Sequence, residues 1–411
     1  MINFKSTLLM IDSLHLIFQR LINDVRTKHY RFLYDKFTID NRLTGITGAR
    51  GVGKTTLMLQ YIKNNFPNNQ NVFYFSADHI YFNSSSIYQF VENLFLTEGI
   101  NIFFIDEIHK YSNWNQELKN LYDGFPQIKI IFSGSSSLDL VKGTYDLSRR
   151  AKLYHLPGLS FREYLNFENN TQLQPILFYD LVNDPISYNE MITTIPKIKG
   201  HFQQYLRQGF YPFYTEDPLS YYEKILQIID KTIYEDIANF YNLKTVNLQH
   251  FKRLLNFLAS IQPGSSSLHN IGKNLSIDDK TAANYLVNLQ ETGLVNLIYP
   301  LEGGNAALRR PEKIFLNNTN LQYALESRLG SPVEIGAIRE LFFIQSTTNA
   351  DIEVFHTKKG DYQINNHIFE IGGKNKTRAQ IKDIDSAFLV KDDTFIAKRG
   401  EIPLVYFGFL Y

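Results

Sequence analysis

The run Gly48-Ala49-Arg50-Gly51-Val52-Gly53-Lys54-Thr55 restricts this chain more than any other. Its spacing, G-x-x-x-x-G-K-T, belongs to a loop that wraps phosphate and that works only between a strand and a helix. Both flanks are present. Leu43-Thr44-Gly45-Ile46-Thr47 is apolar and β-branched, which suits a short buried strand, and Leu57-Met58-Leu59-Gln60-Tyr61-Ile62 repeats as a helix does. Glycines let the backbone turn its N–H groups toward phosphate oxygens, and the helix N-terminus adds partial positive charge. Residues Gly48, Ala49, Arg50, Gly51, Val52, Gly53, Lys54, Thr55 and Thr56 are therefore the expected cradle. Lys54 would reach the outer phosphates, and the Thr55 hydroxyl would ligate Mg²⁺.

A second signal supports the first. Ile102-Phe103-Phe104-Ile105 ends in Asp106-Glu107. The C-terminal end of a parallel strand faces the nucleotide crevice, so these carboxylates land beside the phosphates. Asp106 would hold Mg²⁺ through water, and Glu107 would orient the attacking water. Further strands are expected at Val72–Ser76 and Ile128–Phe132, with helices over 86–98 and 113–123. Alternating strands and helices give an α/β fold around a mainly parallel sheet. The helical spacing of Leu14, Ile17, Phe18, Leu21, Ile22 and Val25 predicts a helix that packs against the core. Ser133 and Ser135 close the strand at 128–132; each is either a γ-phosphate sensor or part of a plain turn. Arg149 and Arg150, expected after a short helix, are either arginine fingers for a neighbouring subunit or solvated basic residues. His109 reads as an ordinary loop histidine.

Bulk properties narrow the rest. At 411 residues the chain exceeds one small domain. Its formal charge is +1, so no global field points to nucleic acid, and the lack of cysteine excludes disulfides and thiolate chemistry. No signal peptide is legible, and no apolar run approaches the roughly 20 residues of a membrane helix. A soluble cytoplasmic protein without membrane contact is expected.

Past the first domain (1–157), strand signals fade, and 158–262 reads as a helical lid near the nucleotide. It includes long helices at Tyr221–Phe240 and Leu248–Ile261. Residues 263–330 read as a winged helix. Thr281–Thr292 is its recognition helix, Asp278 or Asp279 lies near the cap, and Arg309-Arg310 sit in the wing loop. Only Lys280 is basic on that helix, so DNA binding and a packing or protein-contact role stay open. Residues 331–411 return to α/β, with strands at 353–356, 363–364, 368–371 and 388–390. Asp361, Glu370 and Lys374 lie close together there, and two carboxylates plus a lysine can bind a metal and activate water.

These stretches resemble the AAA-family ATPases of bacteria and archaea. The likeness is carried by Gly45–Leu57, Ile105–Lys110 and Phe132–Ser137. Leu159-Ser160-Phe161-Arg162-Glu163-Tyr164 and Phe369–Lys376 further resemble Bacteroides-type members. The resemblance implies an AAA+ core that binds ATP, a lid, a winged helix and a C-terminal module similar to PD-(D/E)XK nucleases. It puts Glu340, Asp361 and Glu370 at that module's acidic positions. The nuclease pattern has one residue between carboxylate and lysine, whereas Glu370 and Lys374 have three; a bulge at Gly372-Gly373 would be needed. A degenerate, binding-only module is therefore expected. The functional expectation is Mg²⁺-dependent ATP hydrolysis driving conformational change, in a chain able to form a homo-oligomer. The alternatives are a slow nucleotide switch that recruits DNA or a protein, and an ATP-gated nuclease.

Overall fold

The computed structural model describes residues 2–68, 70–134, 147, 149–241, 243, 245–262, 267–301, 310–330 and 334–411. The chain divides into two compact units, Met1–Pro157 and Gly158–Tyr411.

The first unit is built on strands β1 (Leu43–Thr47), β2 (Val72–Ser76), β3 (Ile102–Asp106), β4 (Lys129–Gly134) and β5 (Ala151–His155). They form one sheet in the order β2-β3-β4-β1-β5, and every pairing is parallel. Parallel strands covered on both faces read as continuous apolar runs, which is why β1 to β4 are plain in the sequence. β5 was not expected. It is an edge strand with Lys152, Leu153 and His155 exposed, so it carries no such run. The order inserts β4 between β1 and β3, so the ends of all three meet at one edge.

Helix α1 (Ile2–Asp24) precedes the sheet, and α2 (Lys54–Asn65) follows β1. Leu57, Met58 and Ile62 on α2 are fully buried. Each such side chain contributes about 1.5–3 kcal/mol, so this face anchors the helix that begins at the phosphate loop. Helices α3 (Ile87–Glu98) and α4 (Trp114–Gly124) complete the layers.

In the second unit, residues 158–262 are helical, with no strand among the described residues. Helix α5 (Phe161–Asn169) starts at a capping box. Ser160 Oγ accepts from Glu163 N, and Glu163 returns a carboxylate to Ser160 N. Arg162 Nε donates to Tyr411 O at 2.8 Å. The Leu159–Tyr164 stretch thus organises structure. Helices α6 (Ile198–Arg207) and α7 (Tyr221–Lys231) follow, and α7 continues through a π-helical stretch at Thr232–Ile237. Next come α8 (Thr245–Ala259), α9 (Leu268–Leu275) and α10 (Asp279–Glu291). Asp278 caps α10 by accepting from Thr281 N at 2.9 Å. Strands β6 (Val295–Ile298) and β7 (Lys313–Leu316) pair antiparallel, and α11 (Thr319–Leu329) follows. The fully buried Asn320 accepts from Gly209 N and Phe210 N, both at 2.9 Å, and donates to Leu206 O. A buried amide must satisfy both ends, and this one fixes the turn after α6.

Helix α12 (Ile335–Asn349) leads into β8 (Phe355–His356), β9 (Tyr362–Ile364), β10 (His367–Gly372), β11 (Ala387–Lys391) and β12 (Glu401–Pro403). Their order is β12-β11-β10-β9-β8. β10, β11 and β12 run parallel, and β8 and β9 antiparallel. The short β12 gave no apolar signal of its own. Among the described residues, no helix is long and apolar enough to cross a membrane.

Candidate nucleotide-binding site

The loop between β1 and α2 has the conformation its glycines predict. Gly48, Gly51 and Gly53 all have positive φ, at 151°, 82° and 99°. A Cβ on Gly48 would lie 2.2 Å from Leu156 O, so only glycine fits there. Gly53 is the N-cap of α2 and has no side chain to satisfy the first-turn N–H groups, which leaves them to an anion. Lys54 is 5% exposed, and its Nζ donates to Gly48 O at 2.8 Å and Ala49 O at 3.0 Å. The ammonium therefore curls over its own loop. Val52 is fully buried, Ala49 and Arg50 are half-buried, and Thr56 is exposed.

Asp106, at the end of β3, is 3% exposed. Thr55 Oγ1 donates to its Oδ2 at 2.5 Å, and Tyr74 OH donates to the same oxygen at 2.9 Å. Ser133 Oγ and Glu107 N donate to Oδ1. All four donors are neutral, so the carboxylate is fixed in place without losing its charge. Burial first, then the neighbouring Asp106 carboxylate, pushes the Tyr74 hydroxyl far above its usual range. It therefore stays protonated and stays a donor. Tyr74 was hidden in the sequence as one more aromatic in an apolar strand. Ser133 is engaged with the pair at the end of β3: its Oγ also accepts from Glu107 N at 3.1 Å. Ser135 lies outside the described residues.

Glu107 takes the left-handed conformation, φ 50°, which turns the chain immediately after Asp106. Its Oε2 is buried without a hydrogen bond among the described residues. His109 Nε2 lies 3.5 Å from Glu107 Oε2, on a side chain only 4% exposed. His109, in the short turn Ile108–Lys110 that follows β3, is thus packed beside Glu107. Arg150 pairs with Asp123, Nε to Oδ1 at 3.3 Å. Arg149 is exposed, and most of the chain just ahead of it lies outside the described residues.

A second group of ionisable residues lies in the other unit. Glu370 on β10 is 1% exposed, and its Oε1 meets Lys376 Nζ at 2.5 Å. Asp361 Oδ2 accepts from Ile371 N at 2.7 Å. Burial raises the Asp361 carboxyl above the usual range, and the charges of Glu370 and Glu340 add to this. Glu340 on α12 meets Lys313 Nζ at 2.6 Å and Tyr362 OH at 2.5 Å. The expected lysine was Lys374, but it stays exposed. After Gly372 the chain turns, with Lys376 N donating to Gly373 O at 2.9 Å. The Lys376 side chain comes back across Gly372, where an added Cβ would lie 2.5 Å from Lys376 Cβ and Cγ. The turn, not a strand bulge, brings a lysine to Glu370. No cluster of three or more acidic, His or Cys side chains suited to a metal occurs among the described residues.

On α10, Lys280, Asn284, Val287 and Gln290 are exposed. Arg310 is exposed as well, and Arg309 lies outside the described residues.

Comparison with known proteins agrees with the first unit. Residues 40–165 match the family model of an AAA domain, and residues 199–331 match that of a domain of unknown function. An uncharacterized protein of Methanocaldococcus jannaschii is 29% identical over 302 residues, which is 70% of this chain. The chain spans 63% of the length of that curated relative. Among solved structures, AMPPCP-bound DnaA from Aquifex aeolicus has a TM-score of 0.27 at 17% identity, over 63% of this chain and 84% of that one. An ADP complex of Hsp104 from S. cerevisiae has a TM-score of 0.29 at 14% identity, over 68% and 39%. At these scores the likeness bears on neither activity nor partner. Residues 40–165, with their phosphate loop, parallel sheet and strand-end carboxylate, form an AAA-type P-loop nucleotide-binding core.

Proposed function

We propose that the first unit binds ATP and hydrolyses it with Mg²⁺. The observation that carries this is the buried Asp106 carboxylate, held by four neutral donors, with Thr55 Oγ1 at 2.5 Å and Glu107 next in the chain. Hydroxyl and carboxylate oxygens are hard donors that suit Mg²⁺. Thr55 and Asp106 would hold the ion, which when bound neutralises charge on the outer phosphate oxygens.

The chain's own residues do the rest. Loop N–H groups and Lys54 hold the phosphates, and Lys54 exchanges its bonds to Gly48 O and Ala49 O for phosphate oxygens. Glu107 orients a water molecule toward the γ-phosphorus. The water oxygen bonds to phosphorus as the bond to the bridging oxygen breaks, and ADP leaves with that electron pair. Ser133 keeps Asp106 and Glu107 in register through both hydrogen bonds. Arg149 and Arg150 are both candidates for a finger offered to a second copy; Arg150 would first have to leave Asp123, with which it is paired. The released energy would rearrange the second unit.

The nuclease reading has weaker support, because Glu340 and Glu370 are both already held by lysines. On α10 the exposed polar face supports contact with a partner, DNA or protein, more than dense phosphate neutralisation. The test is phosphate release by the full chain with Mg²⁺ and with EDTA, with and without duplex DNA. Turnover only with Mg²⁺ is expected. Tight ATP binding with no turnover would replace hydrolysis with the switch reading.

A further inference from the structure

Arg31 belongs to no motif, yet it touches the phosphate loop. It lies in the irregular segment between α1 and β1 and is 5% exposed. Its Nη1 donates to Val52 O at 2.5 Å, and its Nη2 donates to Pro157 O at 2.8 Å. A guanidinium is a rigid planar fork, so two carbonyls at two of its nitrogens fix its plane.

Val52 is the residue between the two inner glycines of the loop. Its carbonyl shares one planar, trans peptide with the N–H of Gly53, and the two point in opposite directions. Fixing the carbonyl therefore fixes the N–H. This matters because Gly53, on one side of that peptide, offers no steric stop. Its φ is positive, and glycine tolerates either orientation of the peptide before it. Left alone, the Val52–Gly53 peptide would sample both orientations, and ordering it would count against phosphate binding.

The segment that carries Arg31 is itself strapped to the helix that starts at the loop. Gln60 Nε2 on α2 donates to Arg26 O and His29 O, both at 2.8 Å. Lys63 Nζ donates to Val25 O at 3.0 Å. The strap, the guanidinium and the loop thus form a closed chain of contacts that runs from the phosphate loop to the second half of α2. Burying a charge against two carbonyls is costly unless its bonds are well made, and filling space alone would not call for it.

We propose that Arg31 is a positioning residue for the nucleotide site. It holds the Val52–Gly53 peptide so that the Gly53 N–H faces the phosphates of a nucleoside triphosphate. The proposal rests on the phosphate-loop reading above and adds a residue to it. It makes Arg31 part of binding rather than of the chemical step.

The experiment measures ATP affinity by calorimetry and steady-state hydrolysis, on the full chain, for Arg31→Met, Arg31→Lys and Lys54→Ala. Arg31→Met should weaken ATP binding about 10- to 100-fold. Its KM should rise by more than its kcat falls. Arg31→Lys, which keeps the charge and one bond, should recover part of the affinity. A folded Arg31→Met protein that binds ATP within about twofold of the parent overturns the proposal. If Arg31→Met does not fold, Arg31→Lys decides: affinity equal to the parent overturns it, and a loss supports it. Lys54→Ala separates the two levels. If Lys54→Ala binds ATP normally, the phosphate-loop reading fails; if it loses binding while Arg31→Met does not, only Arg31 is wrong.

Discussion

Two buried carboxylates, one in each unit, sit in strands of partly or wholly parallel sheets and meet different fates. Asp106 ends β3 and is 3% exposed; Glu370 lies in β10 and is 1% exposed. Asp106 is held by Thr55, Tyr74, Ser133 and the Glu107 N–H, none of them charged. Glu370 is held by the Lys376 ammonium, and its Oε2 has no hydrogen bond among the described residues. Neutral donors position a carboxylate and leave its charge to attract a cation. A lysine also positions it but cancels that charge. The first arrangement suits a site that waits for Mg²⁺, and the second suits a fold that is complete in itself.

Changing the charge at each place breaks or sharpens the contrast. Asp106→Asn should have the largest effect. ATP turnover should fall about 100-fold, because the site loses the charge that supports the metal. Phosphate release at saturating Mg·ATP measures this, and a loss below about threefold would put Asp106 outside the chemistry. Lys376→Met should act on stability instead. It leaves Glu370 buried without its cation and should cost about 1–3 kcal/mol, less than a fully buried pair because the lysine is partly exposed. Chemical denaturation reads this directly. Repeating the melt with Mn²⁺ sharpens the comparison. If Mn²⁺ restores stability to Lys376→Met and not to the parent, the lysine stands where a cation can bind.

The same contrast explains what the sequence could tell. Asp106 and Glu107 were legible because they end an apolar run at a fixed place in a parallel sheet. Glu370 was legible as a strand carboxylate, but its partner was not. The choice of Lys376 over Lys374 depends on the turn at Gly373, a backbone event that leaves little trace in residue type. Likewise β1 to β4 announced themselves as buried runs, while the exposed edge strand β5 could not. Tyr74 looked like one more apolar residue of β2, and its hydroxyl matters only because β2 lies beside β3. Arg31 was the least legible, since 21 residues separate it from the carbonyl it holds.

The measurement closest to the central claim compares the parent with Glu107→Gln in two assays on the same protein, ATP binding and ATP hydrolysis. The account predicts that Glu107→Gln binds ATP with about parent affinity and hydrolyses it at least about 100 times more slowly, because the substitution removes only the group that orients water. Equal hydrolysis by both proteins would contradict it, since the residue after Asp106 would then have no part in the reaction.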